Sequence, residues 1–232
     1  MRQIFPIGLC CMALANPAAA QPATVTGSVL VWQEQEPGIA PYPNRMLITA
    51  DHLRSDDGED DGDYLLFDRR AGILYTVSHD RRTLLVMKAD PLPADAGPRP
   101  EVRVDIATDP DAPSIGGRAV KEIRLHSGGD LCMQAMVVPG LLPDAVAALR
   151  EMRARLAGRQ YRDLHKTPEE FRTPCFLANY VYEADRALET GLPVQESVSG
   201  GMRRLLQDYR TGQALPAALF ELPADYQLEE IP

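Results

Sequence analysis

Long apolar runs, a basic excess and the short signatures of common catalytic sites are all missing from this 232-residue sequence. Without a run of about 18 apolar residues, there is no candidate membrane-spanning helix. The chain has 24 Lys and Arg against 33 Asp and Glu, a net charge of −9. A nucleic-acid backbone is held by clustered cations, so this balance argues against a nucleic-acid partner. Neither G-x-S-x-G, G-x-x-x-x-G-K-[ST] nor G-x-G-x-x-G occurs, which removes the nucleophile elbow, the phosphate loop and the dinucleotide fingerprint. His52, His79, His126 and His165 form no H-x-x-x-H or H-E-x-x-H and read as surface or turn residues. No enzyme signature and no cofactor motif are left.

What is present is ordinary globular material, 45% hydrophobic and 25% charged. With 20 Pro and 17 Gly the chain is broken often, which suits strands and turns better than a helical bundle. The first twenty residues read as a secretory leader. Arg2 is a short positive region, Ile4 to Ala15 an apolar core, and Ala18-Ala19-Ala20 a small-residue cleavage site. The expected location is therefore periplasmic or secreted, after cleavage near Ala20. Cys10 and Cys11 leave lipidation open, although Leu9 is large for the position before a lipidated cysteine. Beyond the leader only Cys132 and Cys175 remain, and in an exported chain two cysteines most simply form one disulfide. A reactive Cys175 is the alternative, since Thr173-Pro174 resembles a helix start and a helix N-terminus lowers a thiol pKa.

From Gln21 to Val138 the pattern is that of strands. Candidates are Thr24–Trp32, Arg45–Leu53, Asp63–Asp68, Ile73–Val77, Thr83–Met87, Glu101–Ile106, Val120–Leu125 and Leu131–Val138. In Glu101–Ile106, Val102, Val104 and Ile106 alternate with Glu101, Arg103 and Asp105, which marks one dry and one wet face. Short loops between about seven or eight such strands imply antiparallel neighbours.

The period then changes. Ala145, Leu149, Met152 and Leu156 form a helical stripe after Pro143-Asp144, with Gly158 as its stop. Thr167-Pro168-Glu169-Glu170 suggests a capped turn, and Leu177, Val181, Ala184 and Leu188 a second helix from Pro174 to about Thr190. Val194–Val198, Met202–Tyr209 and Ala218–Leu222 return to strand. The expected fold class is α+β: one curved antiparallel sheet, a half-barrel, packed over two or three helices in a single domain, 21–232. Pro91–Pro100 is too short a linker to divide it.

Two groups of residues stand out as candidate sites. Asp57, Glu59, Asp61, Asp63 and Asp68, with Gly62 between, approximate a calcium loop. Glu59 at the third position, the shorter Asp68 at the twelfth and strand-like flanks depart from that loop, and favour a solvated hairpin tip whose charge keeps an edge from pairing. Trp32, Met46, Ile48, Tyr64, Leu66, Tyr75, Leu84 and Val86 supply more apolar surface than two helices need, and either fill a core or line a dry cleft.

The run Arg45-Met46-Leu47-Ile48-Thr49-Ala50-Asp51-His52-Leu53-Arg54, with Tyr64–Asp68, Leu74–Val77 and Thr83–Met87, resembles the opening of the periplasmic lipoprotein-carrier superfamily. Phe220-Glu221-Leu222-Pro223-Ala224-Asp225-Tyr226 is similar to the F-x-x-P-x-x-Y ending of an uncharacterised branch of it. The resemblance implies an unclosed antiparallel barrel with helices in its mouth. Late helices and a disulfide from strand to helix depart from the true carriers. The resulting expectation is a non-enzymatic exported protein holding an apolar small molecule or a lipidated partner, since an acyl chain gains about 0.8 kcal/mol per buried CH₂. A cavity-free scaffold module of an envelope assembly is the alternative, and a weak calcium protein or hydrolase built on residues 57–68 a further one.

Overall fold

The computed structural model describes residues 22–108 and 112–230. The predicted leader, with Cys10 and Cys11, lies outside the described residues. Nine strands come first: β1 (Thr24–Gln35), β2 (Tyr42–Ile48), β3 (His52–Asp56), β4 (Tyr64–Asp68), β5 (Ile73–Ser78), β6 (Thr83–Lys88), β7 (Val102–Thr108), β8 (Lys121–Ser127) and β9 (Asp130–Val138). A long helix α1 (Pro143–Arg162) and two short ones, α2 (Pro174–Leu177) and α3 (Arg186–Thr190), follow. The chain closes with β10 (Leu192–Val198), β11 (Arg203–Pro216) and β12 (Gln227–Glu230).

All twelve strands join one sheet, in the order β12-β6-β5-β4-β3-β2-β1-β11-β10-β9-β8-β7. The sheet is mixed and does not close. β12 runs parallel to β6, while the other pairings are antiparallel. This overturns the expected antiparallel half-barrel over helices. The reason lies after β11, where Ala217–Phe220 turns as a 3-10 helix instead of extending as a strand. Residues 217–226 then cross one face of the sheet as a strap and meet β6 from the same end. A crossing connection can deliver a parallel strand, which a tight hairpin cannot.

The strap also changes what is dry. Leu30, Trp32, Met46, Ile48, Leu53, Phe67 and Leu74 pack with Ala145, Ala148 and Leu149 of α1. Their strand neighbours Val29, Leu47, Tyr64 and Leu66, with Val77 and Leu84, form a second core under Leu215 and Phe220. Since successive strand residues point to opposite faces, β1 to β5 are buried on both. A third core joins Ile123, Leu125, Met133, Ala135 and Val137 to Ala178 and Ala187.

Three predicted elements are redrawn by local chemistry. Arg45–Leu53 is two strands, because the Thr49 hydroxyl accepts from the backbone N–H of Asp51 and of His52 and closes a turn. α1 runs through Gly158, where a Cβ would lie 1.8 Å from the Asp90 carbonyl oxygen; the glycine admits the 90–91 backbone against the helix. Pro174–Thr190 is not one helix. Thr173 caps α2 by accepting from Phe176 N–H, and Ala178–Tyr182 then widens into a π turn before α3 begins.

Cys132 and Cys175 are bonded, with Cα atoms 4.9 Å apart, tying α2 to β9. The bond closes 43 residues and is worth roughly 4 kcal/mol in the chain-entropy account.

Candidate functional site: a cleft at the amino end of the long helix

The eight apolar residues singled out from the sequence do not share a cavity. Trp32, Met46 and Ile48 lie in the core under α1. Tyr64, Leu66 and Leu84 lie in the core under the strap, with Tyr75 packed against it. Val86 is buried on β6. Both groups are closed by the protein's own side chains, and of the eight only Ile48 borders an open cleft.

That cleft, of about 850 Å³, lies where β1, the β2–β3 turn and β11 meet the start of α1. Chain geometry builds it. Gly27 sits at a register break in β1, and a Cβ there would be 2.5 Å from the Ile48 carbonyl oxygen, so glycine lets β1 and β2 pinch together below the opening. After β9, Gly140 (φ 71°) and Leu142 (φ 47°) reverse the chain in left-handed conformations, and Pro143 starts α1. Glycine takes such a φ freely, whereas leucine does so at a cost, a strain that other contacts must hold. Leu141 is driven into the core beside Val138, and Leu142 is left half-buried at the wall.

The lining is mixed. Ile48, Leu141 and Ala145 give an apolar floor, Leu142 an apolar wall, and Thr26, Ser28, Thr49, Tyr209 and Thr211 contribute hydroxyls. Arg69 forms one wall. Its guanidinium donates to the Thr49 carbonyl at 2.8 Å and to both Glu151 carboxylate oxygens at 2.7 and 2.9 Å. Glu151 thereby raises the Arg69 pKa, against the opposing effect of burial. Arg118 stands opposite on an exposed turn, donating to the Gly116 carbonyl at 3.1 Å. Such a surface can take an amphiphile: apolar body on the floor, polar head among arginine and hydroxyl groups.

A second, smaller recess of about 200 Å³ lies between α1, the 179–187 segment and β10. At its base is a buried charge cluster. Glu196, 4% exposed, accepts from Arg153 at 3.0 Å and pairs with Arg204, whose guanidinium lies 4.8 Å over the Trp32 ring. Burial pushes the Glu196 carboxyl upward, but the two guanidinium groups outweigh it and hold the pKa at about 2. A carboxylate held so firmly is no proton carrier near neutral pH. Its geometry pins α1 to the sheet.

The acidic residues are not gathered either. Asp57 accepts from Glu59 N–H, and Asp63 accepts from Ser78 and from His79 N–H. Asp68 lies at the far end of β4, where it accepts from Ala71 N–H. Asp60, with the buried Asp56, neutralises Arg45. Among the described residues no group of three or more His, Cys, Asp or Glu could hold a metal ion. No helix among them is long and apolar enough to cross a membrane.

Sequence reasoning missed both the cleft and the Arg153–Glu196–Arg204 cluster. The only advance signals were an isolated Gly27 inside a strand pattern and the Gly140–Pro143 reversal.

No family model matches this sequence. No curated protein matches it either. Among solved structures it is similar to PNGF-II, with TM-scores of 0.44 and 0.42 in two crystal forms and identities of 10% and 8%. The likeness covers 89% of this chain against 31% and 32% of PNGF-II, so the chain spans about a third of that protein's length. An uncharacterised conserved protein from Thermus thermophilus is also similar, at TM-score 0.43 and 11% identity, over 89% of this chain and 91% of that one.

Proposed function

We propose that this is an exported, non-catalytic binding protein that holds a lipid-like amphiphile in the cleft at the amino end of α1. The observation that carries the reading is the contrast in packing. Side chains fill both faces of β1 to β5, while about 850 Å³ stays open beside Ile48, Leu141 and Leu142. That volume falls in the range of small-molecule sites, roughly 300–1,000 Å³. The Cys132–Cys175 bond agrees with an oxidising compartment and hence with export. Leu142, Arg118 and Tyr209 are the residues we assign to the ligand: wall, head-group contact and lid of hydroxyl character.

Binding of a fluorescent fatty acid to protein purified without detergent tests the proposal. Saturable binding is expected, weakened at least about tenfold by Ala147→Trp, which places an indole in the opening from an exposed position of α1. Absence of saturable binding, or binding indifferent to Ala147→Trp, rejects it. The closed cores favour a second reading, a scaffold module acting only through its outer surface. It takes over if the protein is recovered empty and binds no amphiphile.

A further inference from the structure

The two ends of the sheet are chemically unlike. β12 is four residues long and carries Glu229 and Glu230, a short acidic edge that repels a second copy of itself. β7 is seven residues long and pairs only with β8 among the described residues. Its other side offers a row of backbone donors and acceptors, with no proline or lysine inside the strand to discourage pairing.

The side chains of β7 are self-complementary. Val102, Val104 and Ile106 share one face, Arg103 and Asp105 the other. Val102 and Val104 lean on the core of β8 and β9, but Ile106 is 54% exposed. We infer that β7 pairs antiparallel with β7 of a second copy of this chain, about a two-fold axis at Val104, joining two sheets into one. In that register Arg103 stands opposite Asp105 of the second copy and Asp105 opposite its Arg103. Ile106 stands opposite Val102.

Within one chain Arg103 and Asp105 already approach to 3.3 Å, and His126 of β8 lies 3.5 Å from Asp105. The second copy therefore adds to a row of alternating charge instead of meeting a bare cation. Cross-strand apolar and opposite-charge pairs are the units that stabilise a sheet. One seven-residue edge is small beside the surface that a permanent dimer buries, so the association is weak and reversible, with dissociation in the micromolar range.

Sedimentation velocity over a concentration series is the test, with circular dichroism to confirm that each variant folds. The wild-type chain should pass from monomer to dimer as concentration rises. Asp105→Arg sets arginine against Arg103 at both symmetric positions and should weaken the dimer by about tenfold or more. The double exchange Arg103→Asp with Asp105→Arg restores complementarity and should restore the dimer. A wild-type chain that stays monomeric throughout overturns the inference and leaves the edge to a strand of another protein. A dimer that Asp105→Arg does not weaken also overturns it, by placing the interface elsewhere.

Discussion

The sheet is held in two different ways along its width. From β1 to β5 it is sandwiched, with α1 against one face and the 217–226 strap against the other. Around β8 and β9 the helical cover comes in short pieces, and there the chain places its one described disulfide. Buried ion pairs occur in both parts, Arg45 and Arg54 with Asp56 on β2 and β3, and Arg153–Glu196–Arg204 between α1, β10 and β11. The lesson is a division of labour. Where the strands bury apolar residues on both sides, packing is joined by the buried Arg54–Asp56 pair, whose guanidinium also donates to the Leu219 carbonyl of the strap. Where the helical layer breaks into α2, a π turn and α3, a covalent tie fixes its position, while the Arg153–Glu196–Arg204 cluster fixes α1.

Removing packing from the sandwiched part should cost most. Phe220→Ala takes out the strap's largest buried side chain and should cost about 4 kcal/mol by chemical denaturation. Hydrogen exchange should rise in β12 and β6 before it rises in β8. Loss of the bond in the paired variant Cys132→Ser, Cys175→Ser should cost about 3 kcal/mol. Here the order of exchange reverses: β9 and α2 open first, while β2 to β4 keep their protection.

The ionic tie responds to acid. Because the folded-state pKa of Glu196, about 2, lies below its ordinary 4.5, its stabilisation is complete above pH 4.5 and is lost as pH falls toward 2. On the order of 3 kcal/mol should disappear across that window. In Glu196→Gln the matching part of the acid melting curve should flatten. An unchanged curve would mean that the cluster contributes nothing beyond filling space. The smallest effect belongs to the hairpin tip. Asp63→Ala removes the contacts to Ser78 and His79 N–H and should cost about 1 kcal/mol, leaving both halves folded.

Much of this architecture could be read in the residues, and what could not has physical causes. The alternation of Val102, Val104 and Ile106 gave β7, and Pro143-Asp144 with the Leu149 stripe gave the start of α1, because these signals are local. The cysteine pair followed from counting. The parallel strand was hidden, since Gln227-Leu228-Glu229-Glu230 has no buried face, with Leu228 58% exposed; its pairing is imposed by where the strap lands. The end of α1 was misplaced because Gly158 serves contact with the Asp90 backbone and not termination.

The site was harder still. A strand buried on both faces and a strand lining a cavity look alike in sequence, so Trp32, Met46, Tyr64 and Leu66 suggested a lining although they fill two cores. The cleft at α1 is made largely by backbone reversal at Gly140 and Leu142 and by polar side chains from distant segments. None of that has a period to detect.

An apolar guest at the α1 cleft would sit outside the two packed cores. Photolabelling with a diazirine-bearing fatty acid, mapped by peptide mass spectrometry, addresses this directly. Labels are predicted on residues 26–28, 140–147 and 209–212, around the cleft. Labels on Tyr64, Leu66, Tyr75 or Val86 instead would contradict it, since they would require the packed interior to open for the ligand.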